Sequence, residues 1–451
     1  MSTAVVLFNR DLRIHDHPAL RAALESSERV VPLFVFDEAI LDGDYARPNR
    51  LSFLRSSLED LRESLRSRGG ELFLRRGDLI TEVMNVVRAA GAQAVWTSED
   101  YSAYARLRQR RLQRACARIG VSYETLPGVT VIAPGALEPG SSDHFKIFTP
   151  YYRKWSGLPK RSPLEAPRRV RVPPALPKGR LPPLRSLTPG ETSAELPQGG
   201  ESAARARLSR WLRSDLAAYE DDHDDLASDH TSRLSPYLHF GCLSAAEAVA
   251  RAERRPGAQP FIRQLCWRDF HHQVLAATPT LPRLDYRPRG DRWRRDAKSL
   301  QAWKEGRTGV PIVDAGMRQL EREGFMHNRA RLITASFLTK DLYIDWRLGA
   351  KHFWDLLVDG DIANNAGNWQ WVAGTGNDTR PNRIFNPTRQ AHRIDPDGDY
   401  VRRYVGELAV IEGPAVHEPW KLDEQRRSAL DYPAPIVDHD AASRRFRSAR
   451  G

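Results

Sequence analysis

Ala4-Val-Val-Leu-Phe8 and Val30-Val-Pro-Leu-Phe-Val-Phe36 begin a series of short apolar runs that continues at 71–75, 94–97 and 121–126. Between these runs lie amphipathic stretches: Leu51–Arg68, Leu79–Ala90 and Ala103–Ile119. Strands that alternate with helices predict a parallel, doubly wound α/β sheet. Such a sheet takes ligands outside the carboxyl ends of its strands. The chain has neither a G-x-G-x-x-G nor a Walker loop, so an ordinary dinucleotide or NTP site lacks its fingerprint.

Beyond the sheet the pattern changes twice. Prolines crowd the stretch from Pro159 to Pro197, mixed with Arg, Ser and Gly, and neither helical nor strand periodicity survives there. That composition reads as a linker or long crossing loop. From Glu201 onward the spacing is helical, over Ala203–Tyr219, Ala245–Arg254, Pro260–Ala277, Leu300–Lys304, Val313–Glu323, Asn328–Asp341 and Gly349–Leu357. The chain therefore divides into an α/β domain at 1–135, a linker at 136–200 and an all-α domain at 201–451.

With 451 residues the chain is longer than one hydrophobic core usually serves, which agrees with two domains. A formal net charge of +12 on a globular composition suits a polyanionic partner. Cys116, Cys242 and Cys266 have no Cys-x-x-Cys spacing and are too few for a disulfide scaffold or an iron–sulfur cluster, so a reducing cytoplasm and no metal are expected. No signal sequence precedes Ala4 and no apolar stretch approaches membrane-spanning length, so a soluble protein is expected.

The segment Asp359-Gly-Asp-Ile-Ala-Asn-Asn-Ala-Gly-Asn-Trp369-Gln-Trp371 sets indoles beside carboxylates and amides. Buried polar groups need partners, so this mixture makes a poor plain core and points to a site. A well-capped helix whose tryptophans fill a large core is the alternative. Trp267, Trp293, Trp303 and Trp346 are interleaved with Arg268, Arg294, Arg295 and Arg347, a combination suited to stacking on planar rings and pairing with phosphates. Large planar ligands and nucleic acid are both candidates.

Thr231-Ser-Arg-Leu-Ser-Pro236 places hydroxyls and a cation before an apolar helix, where free amides favour anions. Around it stand Tyr219, Gln264-Leu-Cys-Trp-Arg-Asp269, Thr308-Gly-Val-Pro-Ile-Val-Asp314, Met326-His-Asn-Arg-Ala-Arg331, Asp341-Leu-Tyr-Ile-Asp-Trp346, Asp359-Gly-Asp361 and Arg383-Ile-Phe-Asn-Pro387. Together with Asn9-Arg-Asp-Leu-Arg13, these motifs closely resemble the photolyase/cryptochrome family, in its class I cyclobutane-dimer branch.

The resemblance implies an antenna domain followed by a helical domain that binds FAD in a bent conformation and works with it as FADH⁻. By motif, Tyr219, Thr231, Ser232, Leu234 and Ser235 would hold the diphosphate and neighbouring groups. Arg268, Asn328, Arg331, Asp359, Asp361 and Asn365 would surround the rest of the cofactor, with Arg331 paired to Asp359. Trp369, Trp346 and Trp293 match the family's electron-hopping chain, whereas Trp303 is expected to serve packing. Trp267 and Trp371 would sandwich a flipped-out lesion, with Gln264 and Asn365 as catalytic groups. Arg383 and Arg389 would contact phosphates of UV-damaged DNA.

Gln264, Leu332 and His239 depart from the family pattern. Gln264 stands where a glutamate is usual, keeping hydrogen bonds but losing charge. Leu332 replaces a common methionine, and a paired-histidine motif characteristic of (6-4) photolyases is absent from 326–331. For the antenna, Tyr104-Ala-Arg-Leu-Arg lacks the glutamate of folate binders. Arg50 and Asp100 match deazaflavin-binding positions, with His239 in place of the expected lysine. An 8-hydroxy-5-deazaflavin is therefore expected over methenyltetrahydrofolate. The implied activity is that of a monomeric carbon–carbon lyase of the cytoplasm and nucleoid, which uses light to split cyclobutane pyrimidine dimers in DNA. A cryptochrome-like photoreceptor, a (6-4) photolyase and a cofactor-free single-strand binder are the alternatives.

Overall fold

The computed structural model describes residues 2–140 and 142–450. Five strands, β1 (Thr3–Leu7), β2 (Arg29–Asp37), β3 (Phe73–Gly77), β4 (Ala94–Ser98) and β5 (Ser122–Leu126), form one sheet in the order β3-β2-β1-β4-β5. Every pair is parallel, and Val5 of the central strand lies opposite Val31 on one side and Val95 on the other. The third strand starts two residues later than its apolar run. Glu71 is turned aside into ion pairs with Arg62 and Arg66, so the ladder begins only at Phe73.

One face of the sheet packs Val5, Leu7, Val31 and Leu33 against Val83, Val87, Leu112 and Cys116 from the helices Leu79–Ala90 and Ala103–Ala117. Asp78 and Ser102 cap these helices by accepting from Thr81 N and Ala105 N, and Gly91 ends the first in the left-handed region at φ 58°. The opposite face packs on helix Pro48–Arg66. Its core, through Phe53, Leu54 and Leu58, runs without a break into Phe240, Phe261 and Leu265 of the helical half. The two halves share a core.

The proline-rich stretch is pinned to both halves rather than free between them. Val170 N donates to Arg68 O, Leu74 N donates to Lys178 O, and Glu195 N donates to Arg322 O. The region read as linker also contains a helix, Phe148–Gly157. Its Phe148, Tyr151, Tyr152 and Trp155 follow the i, i+3, i+4, i+7 spacing of one buried face.

In the helical half, Gln259–Ala277, Pro311–Glu323, Asn328–Ser336, Trp346–Leu356 and Ile362–Ala373 surround the site. The helix expected to run unbroken to Asp341 stops at Ser336 and passes into a π-helical turn, Phe337–Asp341. A late helix, His439–Arg450, packs on that turn, with His439 Nδ1 bonded to Asp341. No helix among the described residues is long and apolar enough to cross a membrane.

Candidate functional site

The helical half encloses a cavity of about 470 Å³. Tyr219, Thr231, Ser232, Leu234, Ser235, Gln264, Trp267, Arg268, Asn328, Arg331, Asp359, Asp361, Asn365, Trp369 and Trp371, all singled out in the sequence, line it together. They come from the turn Tyr219–Asp222, the loop 228–234 and the first residue of Ser235–Phe240, the long helix Gln259–Ala277, the start of Asn328–Ser336, and the 359–361 segment with the helix Ile362–Ala373 that follows it. Arg233 takes φ 48°, a left-handed conformation rare for such a side chain. It is held there by ion pairs to Asp229 and Glu323, which turns Thr231 and Ser232 toward the cavity wall.

The charged floor is a lattice of pairs. Arg331 Nη2 lies 2.8 Å from Asp359, which also accepts from the Ser235 hydroxyl. Asp361 caps helix Ile362–Ala373 by accepting from Asn364 N, so cap and charged site are one residue. Its other oxygen accepts from Arg10, at the carboxyl end of β1. Burial pushes this carboxyl up, but His272, Arg10, His239 and Arg268 more than offset it and hold it well below the usual carboxylate range. Burial lowers His239, His271 and His272 to about 4.

Asn365 donates from Nδ2 to Ala350 O at 3.1 Å, which fixes the amide and leaves Oδ1 as a free acceptor. Trp267 is backed by Phe148, stacked at 3.6 Å between centroids and 7° between planes. Trp371 carries Arg383 over its ring at 4.9 Å. Trp369 is seated by Gly349: a Cβ there would lie 2.3 Å from the indole. Trp346 is fully buried, donating to Asp285 at 2.8 Å, and Trp293 is half-buried beside Tyr343, so both lie behind the cavity wall. Trp303 is buried, donates to Thr334 O and meets Trp369 edge-on at 6.1 Å.

The positions assigned to an antenna fall elsewhere. Arg50 is completely enclosed, its guanidinium given over to the carbonyls of Tyr45, Trp354 and Leu357 and flanked by the rings of Tyr45 and Trp354. With its donors occupied by main chain it is a joint between the halves. His239 lines the central cavity and bonds the Tyr45 hydroxyl, so it too belongs to that joint. Asp100, just past β4, is buried and pairs with Arg10 at 3.5 Å. Arg383 reaches the site through Trp371, while Arg389 lies on helix Pro387–Ile394 outside the cavity lining.

Sequence reasoning passed over Arg10, Phe148 and His271. Arg10 sits inside the quoted motif 9–13 but far from Asp361 in the chain, and only the sheet's carboxyl edge brings them together. Phe148 was signalled by its aromatic stripe. His271 is 2% exposed, lines the cavity and packs on Gly367, where a Cβ would stand 2.2 Å from Nδ1.

These donors and surfaces fit a bent flavin dinucleotide. Hydroxyls with Arg233 line one wall for a diphosphate, and aromatic walls accept planar rings. The Asn365 Oδ1 would accept from a ring N–H, and the Arg331–Asp359 pair offers both a cation and an acceptor.

Residues 4–169 match the family described as DNA photolyase, and residues 261–450 the family described as FAD binding domain of DNA photolyase. The chain is 54% identical to a deoxyribodipyrimidine photo-lyase of Streptomyces griseus, covering 100% of both. It is 36% identical to the deoxyribodipyrimidine photo-lyase of Escherichia coli, covering 98% of this chain and 97% of that one. Among solved structures, a class III photolyase from Agrobacterium tumefaciens superposes with a TM-score of 0.92 at 35% identity, over 100% of this chain and 97% of the other. A cryptochrome from Synechocystis superposes with a TM-score of 0.92 at 29% identity, over 100% and 99%.

Proposed function

This chain belongs to the photolyase/cryptochrome family, and from that premise we propose that it repairs cyclobutane pyrimidine dimers in DNA by light-driven electron transfer. The observation that carries the reading is the cavity in which a fixed Asn365 amide, the Arg331–Asp359 pair and two indole walls converge. When bound and reduced, the flavin supplies the photoexcited electron that opens the dimer's cyclobutane ring and to which the electron afterwards returns.

The protein's own residues do the rest. Asn365 Oδ1 would accept a hydrogen bond from an N–H of the reduced flavin ring, and Arg331 with Asp359 and Asp361 would offset and orient charge around the ring system. Trp267, stiffened by Phe148, and Trp371, covered by Arg383, form walls for a pyrimidine dimer flipped out of the stack. Dimers stack and pair poorly, so extruding them costs less than extruding intact bases. Gln264 faces the same space and offers an amide to the pyrimidine edges. Trp369, Trp346 and Trp293 carry an electron inward from the surface. Exposed arginines, Arg383 and Arg389 among them, meet the phosphates.

For the antenna we propose an 8-hydroxy-5-deazaflavin rather than a methenyltetrahydrofolate. Asp100 and the crevice outside β1 and β4, where the strand order reverses, support this. The fluorescence of chromophores released on denaturation distinguishes the two. The protein acts as a monomer in the cytoplasm on this reading.

The deciding assay incubates fully reduced protein with dimer-containing DNA under blue light and follows dimer loss against a dark control. Light-dependent loss is the expected result. Its absence in a flavin-loaded preparation rejects repair and favours a photoreceptor resembling the cryptochromes.

A further inference from the structure

Lys340 is the one lysine among the largest fully buried side chains of the described residues, and it lies in the π-helical turn Phe337–Asp341. Its Nζ donates to Ala373 O at 3.0 Å and to Pro381 O at 2.8 Å, while resting 4.2 Å above the ring of Phe446. No carboxylate reaches it within ion-pair distance among the described residues. Burial lowers its amine to about 6, and a neutral amine has two N–H donors for the two carbonyls it meets.

Those two carbonyls bracket one loop. Ala373 closes the helix that carries Asn365, Trp369 and Trp371, and Pro381 lies two residues before Arg383, which stacks on Trp371. Between them runs Gly374-Thr-Gly-Asn-Asp-Thr-Arg-Pro381, a flexible composition. Gly374, at φ 80°, lets the ends close: a Cβ there would lie 2.2 Å from Pro381 O. From the last helix, Arg450 pairs with Asp291 and stands 3.5 Å from Pro381 O, bracing the same point.

We infer that Lys340 is a positioning residue for lesion recognition: it ties the two ends of the 374–381 loop together so that Arg383 is held on Trp371 at the cavity mouth. Lys340 itself touches neither the cavity nor the proposed nucleic acid. The inference rests on the proposed reading of Trp371 as a lesion wall.

The test compares flavin-loaded wild type with Lys340→Met, which keeps the aliphatic reach over Phe446 and removes both donors. Binding is measured to an oligonucleotide holding a single thymine dimer and to its undamaged counterpart, together with repair per saturated complex and flavin photoreduction. Dimer affinity is expected to fall about tenfold, because the two buried hydrogen bonds that hold the loop closed are lost. Binding of undamaged DNA should fall less than binding of the dimer, since only a phosphate contact of Arg383 is loosened there, while repair once bound and photoreduction should remain at wild-type values. Unchanged dimer affinity overturns the inference, and so does a parallel loss of all four properties, which marks general damage to the fold. Should Lys340→Met not fold, Gly374→Ala, which presses on Pro381 from the other side, must give the same selective loss or the inference fails. A wild type that binds dimer and undamaged DNA equally overturns the reading of the cavity, and with it this role.

Discussion

Trp369 is gripped on one side by Gly349 and faces the cavity on the other, so its indole can be replaced without moving the flavin's polar contacts. Trp369→Phe should slow photoreduction of oxidised flavin by more than about tenfold, over ~1.4 kcal/mol on the barrier, because a benzene ring is far harder to oxidise than an indole. Repair by chemically reduced enzyme should be spared; transient absorption and the dimer assay report the two separately. At this scale the sequence was informative where a motif carried its own partner. Arg331 meets Asp359 as the motifs imply, and Asn365 presents its amide to the cavity. It was uninformative where a side chain's role depends on distant main chain. Arg50 offers the charge of a ligand in the sequence, but the carbonyls of Trp354 and Leu357 that occupy it lie some 300 residues away.

Among elements, the helix Phe148–Gly157 acts on the site from within a region dominated by proline. Its first residue braces Trp267 face to face. Phe148→Leu conserves most of the buried volume while removing the stacked ring, so stability should change by under about 1.5 kcal/mol. Loss of the aromatic pair, about 0.5–1.5 kcal/mol, should loosen Trp267 and weaken dimer binding several-fold, measured by titration of labelled dimer DNA. The strands and main helices were legible because period-2 and period-3.6 patterns are long there. The prolines after 158 obscured the ten-residue helix before them. The π turn at 337–341 was hidden for another reason: apolar residues continue across it at near-helical spacing, and only the backbone register changes.

Across the molecule, the parallel sheet directs its carboxyl edge at the helical half, and Arg10 there pairs with Asp361 at the cavity. Breaking a mostly buried pair leaves an uncompensated charge, so Asp361→Asn should cost about 3 kcal/mol at neutral pH and weaken flavin retention. The sign of its pH dependence follows from the depressed carboxyl. Its folded-state value lies below the ordinary 3.8, so the stabilisation is complete above that pH and is lost on further acidification. Urea unfolding of both proteins should therefore show a gap that is constant near neutrality and narrows once the pH drops under 3.8. Two domains were legible from length and pattern. Their shared core was not, because no local signal reports that Phe53 of one half packs beside Phe240 of the other.

The guanidinium of Arg50 clasps the last turn of a helix some three hundred positions downstream. Modular engineering meets its limit at that clasp. A chimera that grafts a foreign light-gathering half onto this catalytic half must import a matching arginine and tyrosine, or else the graft leaves bare carbonyls at the suture.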